Sequence, residues 1–76
     1  MDHSSASQAA YFHRTLASGF VSVGWRVRVA RIRATYPVGA PARRLAIKAA
    51  GNDYCEAMER VRVAYWNECS AALARI

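Results

Sequence analysis

The chain has 76 residues, of which 54% are hydrophobic, and a formal net charge of +6 at pH 7. A chain of this length forms one small domain over residues 1–76 with a thin core, and its apolar content excludes overall disorder. Its longest charge-free apolar run between arginines, Thr15 to Trp25, has eleven residues, whereas a membrane span needs about twenty. We therefore expect no membrane partner, and no signal peptide is visible, which predicts a cytoplasmic protein.

The first predicted element is a short N-terminal helix. The serines that precede it are suitable N-caps, and Gly19 is placed to end it as the C′ residue. Phe12, Leu16 and Phe20 recur at intervals of four and give this helix one apolar face. The competing interpretation is a strand over residues 11–16, followed by a tight turn that ends at Gly19.

Residues 20–36 follow the pattern of a β-strand. Every second residue in the first part of this segment is apolar: Val21, Val23, Trp25, Val27 and Val29. Alternation of β-branched and aromatic residues with small or basic ones is typical of a half-buried strand. The alternation changes phase near Ala30, which predicts a β-bulge there.

A link over residues 37–41 ends this strand. Tyr36 precedes Pro37 and is therefore disfavoured in the α region, and Gly39 is free to adopt a positive φ in a turn. Residues 42–49 alternate again between apolar and basic or small side chains. The two segments together predict an antiparallel β-hairpin or meander.

The C-terminal helix is predicted over about residues 53–75. Gly51 and Asn52 interrupt the preceding pattern, Asp53 is a good N-cap, and Glu56 completes a capping box three residues later. The apolar stripe of this helix consists of Tyr54, Met58, Val61, Tyr65, Cys69 and Ala72. We expect this helix to pack on the β-hairpin, which gives a small domain of the α+β class.

An all-α antiparallel helical hairpin is the alternative fold. Apolar residues recur at intervals of four and three, as in a heptad, at Leu16, Phe20, Val23, Val27, Ala30 and Ala34. This spacing makes residues 5–35 one helix, antiparallel to a second helix over residues 42–75. Gly19 and Gly24 each cost a helix about 1 kcal/mol relative to alanine, and on that ground we expect the α+β fold.

The positive charge is concentrated in one segment. Residues 24–50 contain seven of the eleven basic residues and no acidic residue. The seven are Arg26, Arg28, Arg31, Arg33, Arg43, Arg44 and Lys48. A local excess of this kind indicates an anionic partner more strongly than a diffuse one, and arginine is suited to bidentate contact with phosphate or carboxylate. In the predicted sheet Arg31, Arg33, Arg44 and Lys48 share one exposed face, which Arg26 and Arg28 join through the bulge.

The order of the predicted elements resembles that of small sheet-plus-helix DNA-binding modules. Trp25, a basic strand, a turn at Gly39, a second basic strand and a helix containing Glu56 follow one another. Over residues 25–66 this resembles the AP2-type and phage-integrase arm-binding domains, which implies DNA contact through the sheet. Similar short chains occur among phage proteins that block host defence enzymes. Residues 51–61 resemble the second half of a ribbon-helix-helix repressor, although the glycine and proline of the turn stand where its first helix should begin.

We expect a binding protein and not an enzyme. His3 and His13 lack the further ligands that a metal site needs. Cys55 has no histidine beside it to activate the thiol, and the chain has no glycine-rich phosphate loop. We therefore predict no catalytic residue, no metal, no cofactor and no small-molecule substrate.

Two classes of partner follow from these patterns. The first hypothesis is nucleic acid or an acidic protein surface, bound by the seven cations together with Trp25, whose ring can stack on a base. The second is a protein–protein interaction module, such as a phage-type inhibitor of a bacterial defence enzyme complex, with an interface at Tyr65, Trp66 and Leu73. The exposed sheet edges and this part of the last helix also predict a homodimer.

Overall fold

The protein is a helical hairpin in a computed structural model that describes the backbone of residues 3–74 and the side chains of residues 5–74. Helix α1 spans His3–Thr35 and helix α2 spans Pro41–Ala74. The two helices form a rod with principal extents of 56 × 15 × 10 Å. Within residues 3–74 there is no strand.

Cross-helix contacts show that the two helices run antiparallel. Near the open end of the hairpin, His13 Nδ1 lies 2.8 Å from Glu68 Oε1. Nearer the corner, Arg28 Nη1 donates to Asp53 Oδ2 at 2.5 Å. A residue further along α1 thus meets a residue earlier in α2. Both pairs are exposed, so they fix the alignment of the helices more than they stabilise the fold.

Helix α1 ends where a proline enters the chain. The Tyr36 N–H still donates to the Ile32 carbonyl at 3.0 Å. Pro37 has no N–H to donate the next helical hydrogen bond, and it disfavours the α conformation of the residue before it. Gly39 then turns the chain with a φ of 83°, a value in the left-handed region that glycine adopts without a steric penalty. The chain therefore turns within the predicted link over residues 37–41, but the turn joins two helices and not two strands, and Pro41 already belongs to α2.

Helix α2 begins immediately after the turn. Its first residue is Pro41, a position where the missing N–H has no intrahelical partner in any case and the fixed φ suits the helix. The Ala40 carbonyl accepts hydrogen bonds from the N–H groups of Arg43 at 3.1 Å and Arg44 at 3.4 Å. The local sequence therefore dictates both the corner and the start of the second helix.

The seam between the helices is built mostly from small side chains. The buried hydrophobic residues in the described part of the chain are Ala10, Val29, Ala50 and Ala72. Half-buried residues extend the seam at helical spacing, at Ala17, Val21 and Ile32 of α1 and at Ile47, Tyr54, Met58, Val61 and Tyr65 of α2. Small residues at a helix contact allow the backbones to approach closely. The core is correspondingly thin.

The prediction of an α+β fold is wrong, and the alternative helical hairpin is confirmed. Both predicted strands, residues 20–36 and 42–49, lie almost entirely within helices. Residues two apart in a helix differ by about 200° around its axis. A helix with apolar residues on two opposite faces therefore shows the same alternation as a strand. Val21 and Val29 lie towards α2, whereas Val23 and Val27 are exposed on the other side of α1.

The predicted ends of the N-terminal element are also wrong. Helix α1 runs on through Gly19 and Gly24, so there is neither a C′ cap at Gly19 nor a strand over residues 11–16. The change of phase near Ala30 is a property of the helical period and not a β-bulge. The helix propensity lost at the two glycines is outweighed by packing along the whole length of α2, since most helical stability in proteins comes from such packing.

The predicted start of the C-terminal helix lies in the interior of α2. The helix continues through Gly51 and Asn52, and Asp53 is not an N-cap but the partner of Arg28. Ala50, just before these two residues, is buried, and Tyr54, just after them, packs on α1. Contacts with α1 on both sides of Gly51 and Asn52 therefore stabilise the helical conformation of these two residues.

Candidate interaction surfaces

The seven predicted binding cations lie together at the corner of the hairpin, and we call this region the basic loop end. Four of them are in the last ten residues of α1 and three in the first eight of α2. At 1.5 Å per residue all seven fall within about 14 Å of the corner along the rod. The prediction that six of them share one sheet face is wrong, because there is no sheet in the described residues. The helical period places Arg26 and Arg33 on one side of α1 and Arg28 and Arg31 towards the other.

Only one cation of the basic loop end has an ion-pair partner among residues 5–74. This is Arg28, which is paired with Asp53. The other acidic residues in that range lie further along α2. Glu56 and Glu59 pair with Arg60 and Arg62 in the middle of the helix, and Glu68 is near the open end beside His13. The rod is therefore electrostatically polarised, with a strongly positive corner and a nearly neutral body.

Glu59 and Arg62 form a bidentate pair on the surface of α2. Arg62 Nη2 and Nε donate to the carboxylate of Glu59 at 2.5 and 3.0 Å. These hydrogen bonds lower the pKa of the Glu59 carboxyl and raise the pKa of the Arg62 guanidinium. Both side chains are exposed to solvent, so the pair keeps two charges in a fixed geometry without contributing to the core.

Trp25 is part of the hairpin seam. Its ring packs against Tyr54, with centroids 5.1 Å apart and an interplanar angle of 38°, and the residue is 37% exposed. The structure thus places this predicted stacking residue in a packing contact between the two helices, close to the basic loop end. One part of its surface remains accessible to solvent.

A second apolar surface runs along α1 on the side away from α2, and we call it the outer stripe. It consists of the heptad residues Leu16, Phe20, Val23, Val27, Ala30 and Ala34, all of which are exposed. Phe20 is the most prominent, with 77% of its surface accessible. The heptad correctly indicates a helix, but the hairpin seam uses other residues. In the sequence, the outer stripe is visible as a second set of apolar residues at helical spacing, in addition to the set that forms the seam with α2.

An open groove with a volume of about 700 Å³ lies along one side of the hairpin. Tyr65 is half-buried at its edge beneath the guanidinium of Arg14, whose Cζ is 4.9 Å from the ring centroid. Trp66 is 69% exposed, as expected for a neighbour about 100° away around the helix. Leu73, two turns beyond Trp66, is exposed as well. Of the three predicted interface residues, Trp66 and Leu73 are thus on the outside of α2.

Residues 3–74 contain no group of three or more His, Cys, Asp or Glu residues that could hold a metal ion. Cys55 and Cys69 are free thiols on α2. In this same part of the chain, neither helix combines the length and apolarity that crossing a membrane requires.

Comparisons with protein-family models, with curated proteins and with solved structures found no match.

Proposed function

We propose that this protein is a non-enzymatic protein-interaction module and that the outer stripe of α1 is its docking surface. The observation that carries the proposal is that α1 has apolar residues on two opposite faces, of which the hairpin covers one. An amphipathic helix that needed only to fold against α2 would have a polar outer face.

The outer stripe is long enough to form a specific contact. From Leu16 to Ala34 it extends about 27 Å along the helix at 1.5 Å per residue. Apolar side chains in one continuous row mark interaction sites in small proteins, whereas exposed hydrophobic residues scattered singly do not. Removing this row from water favours association by roughly 25 cal/mol for each Å² of apolar surface covered.

An inhibitor that docks on a bacterial defence enzyme complex is one form that such a module takes. Two features support a role of this kind, in addition to the small size of the chain. The basic loop end supplies charge that steers an approach to an acidic surface, and Phe20 supplies an exposed aromatic side chain of the type that anchors protein interfaces.

Site-specific photo-crosslinking in cells tests the docking surface whatever the identity of the partner. A photoreactive phenylalanine analogue in place of Leu16, or of Phe20 in a second variant, is expected to give a discrete protein adduct on irradiation. The matched control carries the analogue at Asn67, an exposed position on α2, and is expected to give none. Adducts of equal yield at both positions, or none at Leu16 and none at Phe20, would contradict the proposal.

The basic loop end favours a second candidate function, which is binding of nucleic acid. Six of its seven cations have no ion-pair partner among the residues whose side chains are described, so their charge is available to an external anion. Contacts of arginine and lysine with phosphates supply most of the sequence-independent affinity of such proteins. The same charge suits an acidic protein surface, and we expect binding to either partner to weaken as the salt concentration rises.

A further inference from the structure

We propose that the outer stripe is covered by a second copy of this chain, whose α1 helix lies antiparallel to the first. This inference rests on the proposed function, because it assigns an occupant to the docking surface. The hairpin of each copy stays intact, and the two α1 helices meet at the centre of an assembly of four helices. The order of large and small residues along the stripe determines how two copies fit together.

The stripe is complementary to itself when it is reversed. In an antiparallel heptad pairing, the a positions of one helix form layers with the d positions of the other. With the twofold axis at the level of Trp25, the layers combine Leu16 with Ala34 of the second copy, Phe20 with its Ala30, and Val23 with its Val27. Each layer joins a large side chain to a small one or two of medium size, which is the arrangement that fills a helix interface evenly.

A parallel pairing of the same stripe fits poorly. It would join Phe20 to Phe20 at one end and Ala30 to Ala30 at the other, leaving one end crowded and the other underpacked. It would also bring Arg26 of each copy beside Arg31 of the other, because flanking e and g positions pair in parallel helices. Two contacts between like charges would result, with no acidic residue on this part of α1 to offset them.

The antiparallel pairing separates most of these charges. Arg31 faces Ala17 of the second copy and Arg33 faces its Gly19, so neither arginine meets a like charge. Only Arg26 lies beside its own equivalent, near the twofold axis. A single arginine pair at the edge of an interface, open to solvent, is screened by water and salt. Charge therefore favours the antiparallel orientation.

Gly24 supplies an independent observation at the same point. The hairpin does not require a glycine at position 24, because a Cβ added there would meet nothing within 4 Å and the φ of Gly24 is not positive. Glycine is unfavourable in the interior of a helix. In the antiparallel pairing Gly24 lies beside Gly24 of the second copy, next to the twofold axis, where the absence of side chains lets two helices approach closely.

The size of the contact indicates a reversible dimer. A strip about 27 Å long and as wide as one helix contact covers on the order of 1,000 Å² of accessible surface, both copies together. This lies at the lower end of specific interfaces, so we expect a dissociation constant in the micromolar range. Sedimentation velocity between about 1 and 300 µM spans that range. The expected result is a shift from the mass of one chain to the mass of two.

Two matched variants assign the dimer to the outer stripe. Phe20→Glu places a charge in the stripe and is expected to weaken dimerisation at least tenfold while the far-ultraviolet circular dichroism stays helical. Val63→Glu places the same charge on an exposed site of α2 and is expected to leave dimerisation unchanged. A parent chain that stays monomeric at the highest concentration, or a dimer that Val63→Glu weakens as much as Phe20→Glu does, would overturn the proposal.

Disulfide trapping tests the orientation without altering Phe20. In a background with Cys55→Ser and Cys69→Ser, a mixture of the Leu16→Cys and Ala34→Cys chains is expected to form the mixed disulfide on mild oxidation. Leu16→Cys alone is expected to form none, because the two copies of residue 16 are about 27 Å apart. A disulfide between two Leu16→Cys chains would show a parallel dimer and overturn the proposal.

The two proposals fail in distinguishable ways. If the purified chain is monomeric and photo-crosslinking at Leu16 in cells still gives an adduct with another protein, the second copy is the wrong occupant and the docking surface stands. If the chain is monomeric and no adduct forms, both proposals fail. An adduct with the mass of two copies of this chain supports both.

Discussion

Trp25 of α1 and Tyr54 of α2 pack against each other across the hairpin, with ring centroids 5.1 Å apart. The buried core consists of an alanine-rich set of residues, so these rings are among the largest side chains that join the helices. We predict that Trp25→Ala lowers the free energy of unfolding by about 2 kcal/mol, less than for a fully buried tryptophan because Trp25 is partly exposed. Thermal unfolding followed by circular dichroism measures the change, at about 4–8 °C per kcal/mol for a domain of this size.

The control for this prediction is Trp66→Ala. Trp66 is also on α2 but is 69% exposed, and its replacement by a better helix former is expected to change the unfolding free energy by less than about 0.5 kcal/mol. Equal destabilisation by both variants would show that Trp66 is covered by a further contact and that the seam is not centred on Trp25.

Replacing glycine by alanine at two positions should have opposite effects. Gly51 is inside α2, and a Cβ there meets nothing within 4 Å, so Gly51→Ala is expected to raise the unfolding free energy by about 1 kcal/mol through helix propensity. Gly39 has a φ of 83° at the corner, so Gly39→Ala is expected to lower it by about 1 kcal/mol because of strain in the left-handed region. Urea titration of both variants measures the two signs.

The part of the fold that the sequence predicts correctly is the part determined by local chemistry. Pro37 and Gly39 force the corner, and residues 54–74 are helical as expected. The error at the start of α2 has a tertiary cause. Gly51 and Asn52 have low helix propensity, but in the hairpin Ala50 and Tyr54 pack against α1 on either side of them.

The sequence also predicts which residues form the basic cluster but not its shape. The cations are neighbours in the chain, so any fold that brings the ends of the turn together gathers them. Their arrangement around two helices depends on the secondary structure, for which the alternation of apolar residues favours the wrong fold. The outer stripe cannot be identified as a surface for the same reason. A heptad reveals that a helix has an apolar face, and only the structure shows that α2 packs on the other one.

The basic loop end should bind polyanions with a steep dependence on salt. We predict that a variant with Arg33→Gln, Arg44→Gln and Lys48→Gln loses most of its affinity for a duplex DNA oligonucleotide at about 50 mM salt, because fewer counterions are released on binding. The matched control removes three cations from elsewhere on the rod, Arg14, Arg60 and Arg62. Fluorescence anisotropy at two salt concentrations measures both variants, and an equal loss in the control would indicate attraction by net charge alone.

Asp53→Asn separates stability from binding at the same end. The ion pair with Arg28 is exposed, with 48% and 60% of the two side chains accessible, so its loss is expected to change the unfolding free energy by less than about 1 kcal/mol. Release of Arg28 adds one available cation, and we predict tighter binding to the DNA oligonucleotide in the same assay. Unchanged affinity would show that Arg28 is outside the anion-binding surface.

Arg26 and Arg31 differ in the antiparallel dimer, although both flank the outer stripe. Arg26 lies beside its own equivalent, whereas Arg31 faces Ala17 of the second copy. We predict that Arg26→Gln tightens dimerisation several-fold at low salt, with a smaller gain at high salt because screening already weakens the repulsion. Arg31→Gln is expected to have little effect in the same sedimentation experiment. Tightening by both variants to the same degree would favour the parallel orientation.

Val27 and Val29 are two residues apart, and their replacement by alanine discriminates between the folds most directly. In a strand both would lie on one face and be equally buried, but in the hairpin Val29 is 7% exposed and Val27 is 45% exposed. We expect Val29→Ala to lower the unfolding free energy by about 1 kcal/mol, since lost packing exceeds the gain in helix propensity. Val27→Ala is expected to leave the unfolding free energy unchanged or slightly higher at about 1 µM, where we expect the chain to be monomeric.

At higher concentration dimerisation stabilises the parent chain further, because binding of a second copy to the folded state shifts the unfolding equilibrium. Of the two variants, only Val27→Ala is expected to lose this extra stability, because Val27 belongs to the outer stripe. Equal destabilisation by the two variants at low concentration would contradict the helical hairpin, and equal concentration dependence in the parent and Val27→Ala would remove the outer stripe from the dimer interface.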